Sequence, residues 1–470
     1  MHEQILENMK KNQFWHPNHH AYRKFRNTET AVIQMYDTWV EAIAEGKLAA
    51  AAMIDMSAAF DTVDIDILLA KCKLYNFGEE ATSLLESYLK KRRQIVTIGG
   101  YNSEALELEA GVPQGSILGP ILYTLYTNDF PEVVHDPECN EGQEEGGSIR
   151  FKTMCEKCGS VVCFADDSTY TVISEKTDTV TDRLNTKFGK MTNYLGSQRL
   201  SVNQDKTHLL LLATRQKRRY IHGRVTITTD EELIESSEKE KLLGIELEQN
   251  MGFESHINNI TEKIKTGINA LKSIAKISNF ATRKNIMNGI ITSRLIYMIG
   301  LWGGIAEHRM DKLQKLQNEA MRIVTKRKWV KKGKKLVKTK QLLIQTGQLS
   351  VRQLQAFHTL IQVKKIVVNQ EPEYLYRKLT EGNRHHGHDT REYRRLLELP
   401  KIEKNKELKV METNSSLAKS TFRWRGAELY NRLPMELREE PLKNFKKKMK
   451  EWVKINIKIN RPKSQEADNH

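Results

Sequence analysis

The fold is decided by the stretch Gly159-Ser160-Val161-Val162-Cys163-Phe164-Ala165-Asp166-Asp167-Ser168-Thr169-Tyr170-Thr171-Val172-Ile173. Its two halves are rich in β-branched, aromatic and small residues, which is typical of strands. The sequence therefore predicts a β-hairpin that carries two adjacent carboxylates at its tip. Neighbouring carboxylates repel each other unless a cation neutralises them. Taken alone, such a pair in a turn is usually just a solvated turn, so the rest of the chain has to decide between a metal site and a plain turn.

A third carboxylate follows another predicted strand. The small, apolar run 48–54 is typical of a buried strand and ends at Asp55. A carboxylate at a strand end and a pair at a hairpin tip can meet at one edge of a sheet. Acidic groups placed in this way hold two divalent ions in phosphoryl-transfer enzymes, where the ions activate the attacking hydroxyl and stabilise the leaving oxygen. We expect two Mg²⁺ ions, because Mg²⁺ prefers oxygen ligands and substrate phosphates, with Mn²⁺ as a substitute.

The composition indicates a polyanionic partner. The chain of 470 residues has 75 Lys and Arg against 59 Asp and Glu, a formal net charge of +16. Such a surplus suits nucleic acid or an anionic membrane surface. The longest apolar stretch, 290–306, is short for a bilayer span and contains Arg294, so we predict one buried helix and no membrane partner. The basic run 326–335, which includes Trp329, favours contact with nucleic acid or a nuclear import signal.

Cysteine usage indicates the compartment. The five cysteines are an odd number, and no apolar signal peptide precedes them. This pattern favours a reducing, intracellular environment, either the nucleus, the cytoplasm or both.

Three motifs now stand in a familiar order and spacing. Asp55 with Phe60-Asp61, the segment 111–116 and the segment 164–167 resemble motifs A, B and C of reverse transcriptases. The chain resembles the reverse transcriptase of a non-LTR retrotransposon of the LINE-like, jockey type. Further matches extend this resemblance over residues 5–455: 22–28 with the fingers motif, 200–207 with motif D, 241–245 with the primer grip, 313–322 with the thumb and 423–434 with the C-terminal extension.

The resemblance implies an α+β fold, a right-hand polymerase whose palm and fingers contain a mixed, largely antiparallel sheet, followed by an all-helical thumb and C-terminal extension. It implies partial fingers at 1–47, the palm with the remaining fingers at 48–250, an inserted Cys-containing loop at 131–160, a helical thumb at 251–345 and a basic helical extension at 346–470. Relatives of this type usually have more fingers sequence, and often an endonuclease, ahead of the palm. We therefore expect an N-terminally truncated copy.

The resemblance also implies catalytic roles. Asp55 and Asp166 correspond to the principal Mg²⁺ ligands, Asp167 supports them, and Met56 contributes its backbone carbonyl. Lys206 corresponds to a cation near the pyrophosphate leaving group, where it acts either as the general acid or as a solvated lysine.

Other positions correspond to substrate contacts. Phe60 occupies the steric-gate position, where an aromatic ring excludes a ribose 2′-hydroxyl; the alternative is a core phenylalanine. Gln114 and Gly115 let the backbone approach the template and the nucleotide closely. The resemblance places the basic side chains of Arg23, Lys24 and Arg26 against triphosphate or template phosphates. It places the short segment of Leu243, Gly244 and Ile245 against the primer. Asp61 matches motif A as either a catalytic or a structural carboxylate.

The insert holds a separate candidate site. His135, Cys139, Cys155 and Cys158 are borderline or soft ligands and end in a tight Cys-x-x-Cys pair. Four such ligands can close a tetrahedral zinc site, which would order a long loop. The spacing is not one of the common zinc-finger patterns, so a zinc site and a metal-free loop both stay open.

The sequence thus predicts an RNA-directed DNA polymerase that transfers deoxynucleotides to a primer 3′-hydroxyl. Its expected partners are a template RNA, a DNA primer or target, and dNTPs. One alternative is a catalytically inactive remnant that still binds nucleic acid. Another is an RNA-dependent RNA polymerase, although that class usually has a second Asp where this chain has Phe60.

Overall fold

The computed structural model describes residues 1–140, 151, 153–219, 221, 225–229, 233–326, 338–380, 407–410, 413 and 415–459. These residues divide into two compact units, Met1–Leu243 and Gly244–His470. Nearly all of the basic run 326–335 lies outside the described residues, as do large parts of the insert and of the predicted C-terminal extension.

The first unit combines a sheet with helices. Its helices are α1 (His2–Lys11), α2 (Thr28–Ala44), α3 (Ile65–Leu74), α4 (Glu79–Leu89), α5 (Gly119–Tyr126), α6 (Thr177–Ser197) and α7 (Arg215–Arg218), with 3₁₀ turns at Phe130–Val134 and Pro137–Asn140. Its strands are β1 (Leu48–Met56), β2 (Arg92–Gln94), β3 (Thr97–Ile98), β4 (Tyr101–Asn102), β5 (Leu106–Leu108), β6 (Ser160–Phe164), β7 (Asp167–Ser174), β8 (Val202–Leu212), β9 (Thr226–Thr228), β10 (Leu233–Ser237) and β11 (Lys239–Leu242).

Six strands form the main sheet in the order β6-β7-β1-β8-β10-β9. Neighbouring strands are antiparallel except β8 and β10, which are parallel. The expected mixed, largely antiparallel sheet is therefore confirmed. The sequence patterns predict neither the strand β10 nor its parallel pairing with β8.

Alanines explain why β1 lies at the centre. Ala49, Ala50, Ala51 and Ala52 are fully buried. Because their side chains are small, helices can pack closely on both faces of the strand. The side chains of Ala50 and Ala52 belong to the large core that also includes residues of α1 and α3–α6. Helix α2 contacts the sheet as well, and its Trp39 indole donates a hydrogen bond to Thr171 of β7.

The helix α2 begins with a reciprocal pair of hydrogen bonds between Asn27 and Thr30. Asn27 accepts a hydrogen bond from the backbone N–H of Thr30, whose hydroxyl in turn accepts one from the N–H of Asn27. This reciprocal pair satisfies two backbone donors that the first turn of a helix leaves without partners. Asn27 is therefore the N-cap of α2.

In the described residues of the second unit, the strand β12 (Ile245–Glu248) is followed by helices. Its helices are α8 (Glu254–Ile274), α9 (Phe280–Met287), α10 (Ser293–Ile296), α11 (Ile299–Trp302), α12 (Glu307–Val324), α13 (Thr339–Thr346), α14 (Val351–Asn369), α15 (Glu373–Thr380), α16 (Ser416–Lys419), α17 (Phe422–Asn431), α18 (Met435–Glu439) and α19 (Leu442–Asn456), with a π-helical turn at Asn288–Thr292. The long helix α14 packs against α11, α12, α17 and α19 and is the centre of this unit.

The prediction of one buried helix over 290–306 is wrong. The chain forms the π-helical turn, α10 and α11 in succession, because Tyr297 is extended and Met298 has a left-handed backbone with φ of 49°. Arg294 donates a hydrogen bond to the carbonyl of Lys263. Six apolar residues of the stretch are nevertheless buried: Ile291, Leu295, Met298, Ile299, Leu301 and Trp302. Among the helices that the structure describes, none is both long and apolar enough to cross a bilayer.

Candidate active site

The predicted hairpin is present, with the acidic pair at its tip. Strands β6 and β7 pair from Ser160–Thr171 to Phe164–Asp167, so the turn consists of only Ala165 and Asp166. Ala165 has a left-handed backbone with φ of 58°. Two-residue turns with positive φ match the twist of the strands that they join. The turn therefore holds Asp166 and Asp167 at the end of the sheet.

The register of β1 against β7 brings Asp55 to the same place. Leu48 pairs with Ser174 and Ile54 with Ser168, so the next step along both strands sets Asp55 opposite Asp167. Residues directly opposite each other in an antiparallel pair point to the same face of the sheet. Three carboxylates are thus gathered at one end of the two strands.

The pKa of Asp167 reflects the neighbouring carboxylates. Although the residue as a whole is exposed, loss of water around its carboxylate and then the negative charges of Asp166 and Asp55 raise its pKa. Like charges raise the pKa because they disfavour a further ionised carboxylate. A divalent cation would relieve this repulsion, so the donor set fits the metal that the sequence predicts.

A bulge in β8 brings Lys206 to the carboxylates. Between the pairs Met53–His208 and Asp55–Asn203, β1 advances by two residues where β8 advances by five. Lys206 lies in this bulge, and its ammonium nitrogen is 3.8 Å from Oδ2 of Asp55. Bulges of this kind are frequent beside active sites because they redirect side chains. The predicted leaving-group cation therefore lies beside the Asp55 carboxylate.

Phe60 lies in a row of three aromatic rings. It stacks on Tyr123 of α5 with ring centroids 4.4 Å apart, and the ring of Tyr22 meets it edge-on at 6.5 Å. Phe60 is half-buried, so one part of the ring is supported by the core while another part is open. Behind it, the hydroxyl of Tyr123 donates to Sδ of Met56, the last residue of β1.

Motif B is joined to motif A by backbone hydrogen bonds. The N–H of Gly111 donates to the carbonyl of Val63 at 2.8 Å, and the N–H of Val112 donates to that of Phe60 at 2.9 Å. A Cβ on Gly111 would lie 2.8 to 3.0 Å from backbone atoms of Asp61, and its φ is +84°. Only glycine satisfies both the close approach and the left-handed conformation.

This connection sets Gln114 next to Asp61. The Gln114 amide donates to Oδ1 of Asp61 at 2.8 Å, and both residues are exposed. Gly115 follows with φ of +77° and open space where a Cβ would stand. In this structure Asp61 is therefore a hydrogen-bond partner of motif B, while the backbone at Gly115 is accessible.

The basic residues of the fingers motif have different surroundings. Arg23 donates to the carbonyls of His16 and His19 and lies over the Trp15 ring, and Arg26 donates to the carbonyl of Pro17. The structure thus brings these two guanidinium groups to the loop before α2. Lys24 is exposed, with its ammonium over the ring of Phe25.

The predicted primer grip is a turn rather than part of one strand. The segment 241–247 is not one continuous strand, because Leu243 and Gly244 have positive φ values of 46° and 85°. A Cβ on Gly244 would lie 3.2 Å from the ring of Tyr297. Ile245 begins β12, so the segment 243–245 lies where the chain passes from the first unit to the second.

The insert brings four potential ligands close together. Single ligand atoms of His135, Cys155 and Cys158 all lie within 4.8 Å of one another. The Sγ of Cys139 is 3.3 Å from that of Cys158 and 3.6 Å from that of Cys155. This cluster stands at the start of β6, at the opposite end of that strand from Phe164 and the acidic turn.

Sequence reasoning missed part of the support around the site. Tyr123 lies in an apolar helix with no signal beyond its aromatic character, and Tyr22 stands out in the sequence only as part of the fingers motif. Burial first, and then the charge of Asp166, raises the pKa of Tyr22, so its hydroxyl lies in the field of the catalytic candidates. The left-handed backbone at Tyr22, φ of 53°, directs the chain there.

The segment before Tyr22 was also missed. The N–H of His20 donates to the carbonyl of Cys163 and the N–H of Cys163 donates to the carbonyl of Asn18, so this segment extends the sheet edge beside β6. Burial lowers the pKa of His19 to about 3 and keeps the ring neutral. The histidine is therefore a structural element of the hairpin surroundings rather than a titrating group.

A central strand and a neighbouring hairpin that together gather three carboxylates, with helices packed on the sheet, define the palm of a nucleotidyl-transferring polymerase. A family model described as reverse transcriptase (RNA-dependent DNA polymerase) matches residues 1–247, and the chain belongs to this family. The expected reverse-transcriptase fold is thereby confirmed. Reverse transcriptases generally use divalent metal ions and bind a nucleic-acid template.

Curated relatives agree with the LINE-like resemblance. The chain is 25% identical over 382 residues to the RNA-directed DNA polymerase from mobile element jockey of Drosophila melanogaster, covering 78% of this chain and 39% of that protein. It is 26% identical over 317 residues to the probable RNA-directed DNA polymerase from transposon BS of Drosophila melanogaster, covering 66% and 32%. The resemblance to a LINE-like reverse transcriptase is confirmed. The chain spans about two fifths or less of the length of these relatives.

A solved structure also shows similarity. The apo telomerase from Candida Tropicalis is 12% identical, with 80% of this chain and 60% of that chain covered and a TM-score of 0.38.

Proposed function

We propose that this chain is the RNA-directed DNA polymerase of a mobile element, which adds deoxynucleotides to a DNA 3′-hydroxyl on an RNA template. Membership of the reverse transcriptase family supports the reaction class. The observation that carries the proposal is the β1–β7 register, which sets Asp55 opposite Asp167 at the end of the sheet where the turn holds Asp166. Its substrates would be template RNA, a DNA primer or target, and dNTPs, encountered in the nucleus, the cytoplasm or both.

Asp55, Asp166 and Asp167 would hold the divalent ions, together with the backbone carbonyl of Met56. The raised pKa of Asp167 supports this, because carboxylates that repel one another are a favourable donor set for a cation. Mg²⁺ is the ion we propose, since all four donors are oxygens, and Mn²⁺ would replace it. When bound, such ions lower the pKa of the primer hydroxyl and neutralise charge on the phosphates.

Lys206 would serve the leaving group. Its ammonium lies 3.8 Å from Asp55 and is largely exposed, so it can follow the departing pyrophosphate. As general acid it would donate an Nζ proton to the pyrophosphate oxygen when the bond to the α-phosphorus breaks. The primer hydroxyl loses its proton to solvent in the same cycle, so the protons balance.

Phe60 would select the sugar. Its ring is held by Tyr123 on one face, so it cannot retreat from a ribose 2′-hydroxyl placed against its open part. The exposed amide of Gln114 and the open backbone of Gly115 would contact the template and the nucleotide.

Among the basic residues of the fingers motif, exposed Lys24 is the best placed for the triphosphate. Arg23 and Arg26 already donate to loop carbonyls and would act mainly by shaping that loop.

The wider domain assignment belongs to the same proposal. Residues 1–47 would be fingers, 48–250 palm with the remaining fingers, 251–345 thumb and 346–470 a basic C-terminal extension. The turn Leu243-Gly244-Ile245 would grip the primer. We propose zinc only as a structural ion of the insert, because the four zinc candidates lie at the far end of β6 from the acidic turn.

Primer extension tests the proposal. The purified chain should extend oligo(dT) on poly(rA) with dTTP and Mg²⁺, and Asp166→Asn should abolish extension. Asp178→Asn is the matched control, since Asp178 is an exposed carboxylate in the first turn of α6. This control should extend primers at the parental rate. Equal extension by the parent and Asp166→Asn would overturn the proposed site.

The same assay distinguishes the two alternatives. Incorporation of UTP in preference to dTTP would indicate an RNA-dependent RNA polymerase and overturn the deoxynucleotide assignment. Binding of the primer–template without any extension, in Mg²⁺ and in Mn²⁺, would indicate a catalytically inactive remnant and overturn the activity.

A further inference from the structure

We propose that His135, Cys139, Cys155 and Cys158 bind one zinc ion, which fixes the base of the hairpin that carries Asp166 and Asp167. Metal binding here does not rest on the proposed polymerase activity. The four residues come from two segments of the insert that are brought together only by the fold, one following the 3₁₀ turn Phe130–Val134 and one preceding β6.

The distances fit a shared ion. Zinc–sulfur bonds of about 2.3 Å in a tetrahedron separate two sulfur ligands by about 3.8 Å. The measured Sγ separations of 3.3 Å and 3.6 Å are near this value and far above the length of about 2.05 Å of a disulfide. A ring nitrogen of His135 lies within 4.8 Å of the Sγ atoms of Cys155 and Cys158. These separations are compatible with one shared ion.

The Cys155-x-x-Cys158-Gly159 segment is built as a ligand-presenting turn. The backbone N–H of Cys158 points at Sγ of Cys155, with N and S 3.4 Å apart. The backbones of Cys155 and Gly159 exchange two hydrogen bonds of 3.1 and 2.8 Å, which close the turn. Gly159 has φ of +81°, and a Cβ there would lie 2.2 Å from the carbonyl oxygen of Thr171. N–H donors of this kind stabilise a thiolate and orient it toward a metal.

Charges around the cluster suit a zinc–thiolate centre. Three thiolates and one neutral imidazole around zinc leave one negative charge. Asp136, whose Oδ2 lies 3.4 Å from Sγ of Cys158, adds another. Lys187 and Lys190 stand on α6 with their ammonium groups 2.6 and 2.7 Å from Oδ1 of Asp136. The two ammonium groups balance the two negative charges, so the loaded site is close to neutral.

The cluster is tied directly to the catalytic hairpin. The hydroxyl of Tyr170, on β7, donates to the carbonyl of Cys158 at 2.8 Å. Cys158 is two residues before β6 begins, and the 3₁₀ turn that ends just before His135 packs against β6. An ion that joins His135 and Cys139 to Cys155 and Cys158 would therefore clamp β6 and β7 at the end opposite to Asp166.

Metal content gives the first test. After equilibration with zinc and removal of the excess, the full chain should retain about one zinc ion per molecule. The double variant Cys155→Ser/Cys158→Ser should retain none, and Cys72→Ala should retain the full amount, because Cys72 is a buried cysteine of α3 outside the cluster. A parental zinc content equal to that of the double variant would overturn the proposal.

Cobalt loading of the parent needs no variant to fold. Co²⁺ should give the thiolate-to-metal charge-transfer band and the intense d–d bands of a tetrahedral sulfur-rich site. Weak octahedral bands would overturn the proposal. Free thiols can also be counted in the chelated protein before any reduction, where five are expected. A count of three would indicate a disulfide and would overturn the proposal as well. All three readouts are independent of primer extension, so zinc binding and polymerase activity can fail separately.

Discussion

The ring of Phe60 stacks on the ring of Tyr123 with centroids 4.4 Å apart and planes inclined by 23°. Phe60 belongs to the turn after β1 and Tyr123 to α5, so the contact joins motif A to the helix that follows motif B. Tyr123 is fully buried, and burial, followed by the charge of Asp166, raises the pKa of its hydroxyl. The proposed sugar gate is therefore supported from behind by a rigid, neutral residue.

Phe60→Ala should admit ribonucleotides. Removing the ring leaves space for a 2′-hydroxyl, so the preference for dNTPs over rNTPs, measured as a ratio of kcat/KM values, should fall by at least about tenfold, or about 1.4 kcal/mol. Tyr101→Ala removes an aromatic ring that is 84% exposed and should leave the ratio unchanged. Unchanged sugar discrimination in Phe60→Ala would remove this residue from the gate.

Substitutions of Tyr123 should separate packing from the hydroxyl. Tyr123→Leu removes the stacked ring behind Phe60, so sugar discrimination should weaken in the same direction as in Phe60→Ala, although less. Tyr123→Phe keeps the ring and loses only the hydrogen bond to Sδ of Met56, which is weak. It should retain the parental ratio. Equal discrimination in the Leu and Phe variants would show that the gate stands without this support.

The raised pKa of Asp167 predicts a dependence of stability on pH. A carboxyl group whose pKa is raised by folding favours the folded state at low pH, and this contribution is lost as the pH rises through the raised value. Asp167→Asn should therefore raise the Tm at pH 8 without metal, and the difference from the parent should vanish at low pH. Exposed charges interact weakly, so we expect Asp167→Asn to raise the free energy of unfolding at pH 8 by about 0.5–1 kcal/mol. This corresponds to a rise in Tm of about 1–4 °C in a unit of this size.

Divalent metal should change this comparison. Mg²⁺ neutralises the clustered carboxylates, so it should raise the Tm of the parent at pH 8 more than that of Asp167→Asn. Thermal unfolding of both proteins with Mg²⁺ and with EDTA measures the effect. An equal rise in both proteins would place the stabilising ion elsewhere.

Gly111→Ala should separate motif B from motif A. The new Cβ meets backbone atoms of Asp61 at 2.8 to 3.0 Å and sits at φ of +84°. The strain should lower the free energy of unfolding by about 1–3 kcal/mol and reduce extension, because the bond from Gln114 to Asp61 depends on this approach. Gly99→Ala is the control, because Gly99 has φ of +59° and open space where a Cβ would stand. This variant introduces the backbone strain without the close contact. A smaller urea-midpoint shift in Gly99→Ala than in Gly111→Ala is expected, and equal shifts would contradict the close-approach argument.

Lys206→Gln should slow the chemical step. Loss of a general acid reduces rates by about 100-fold or more in favourable cases, so kcat should fall by at least about tenfold while the KM for dNTP changes little. Lys176→Gln, an exposed lysine before α6, is the control. A change confined to KM would indicate that Lys206 only attracts phosphate.

The hairpin and the strand before Asp55 were predictable because their signals are local: residue composition on both sides of a short turn and an apolar run that ends in a carboxylate. Asp55 lies opposite Asp167 because of a strand register that extends over seven residue pairs. The order of the motifs implied that the two residues meet, whereas composition alone does not. Lys206 reaches Asp55 through a bulge that leaves no periodic signal.

Other features depend on long-range packing and were missed or wrong. The parallel strand β10 pairs with β8 through only two residue pairs, Ser236–Leu209 and Ser237–Leu210. Much of the apolar stretch around Arg294 is buried as expected, but the left-handed backbone at Met298 interrupts it. Tyr123 became recognisable as a gate support only when α5 was placed against the turn that holds Phe60.

The four alanines of β1 limit how this protein can change over time. Each is fully buried between helices, so a larger side chain at any of them would force a helix away from the sheet. The same strand contains Asp55, so such a shift would also displace a carboxylate that we propose to be catalytic. The short hairpins between residues 92 and 108 are exposed and stand under no such restriction. Substitutions are therefore expected to accumulate in those hairpins and to be excluded from the centre of the sheet.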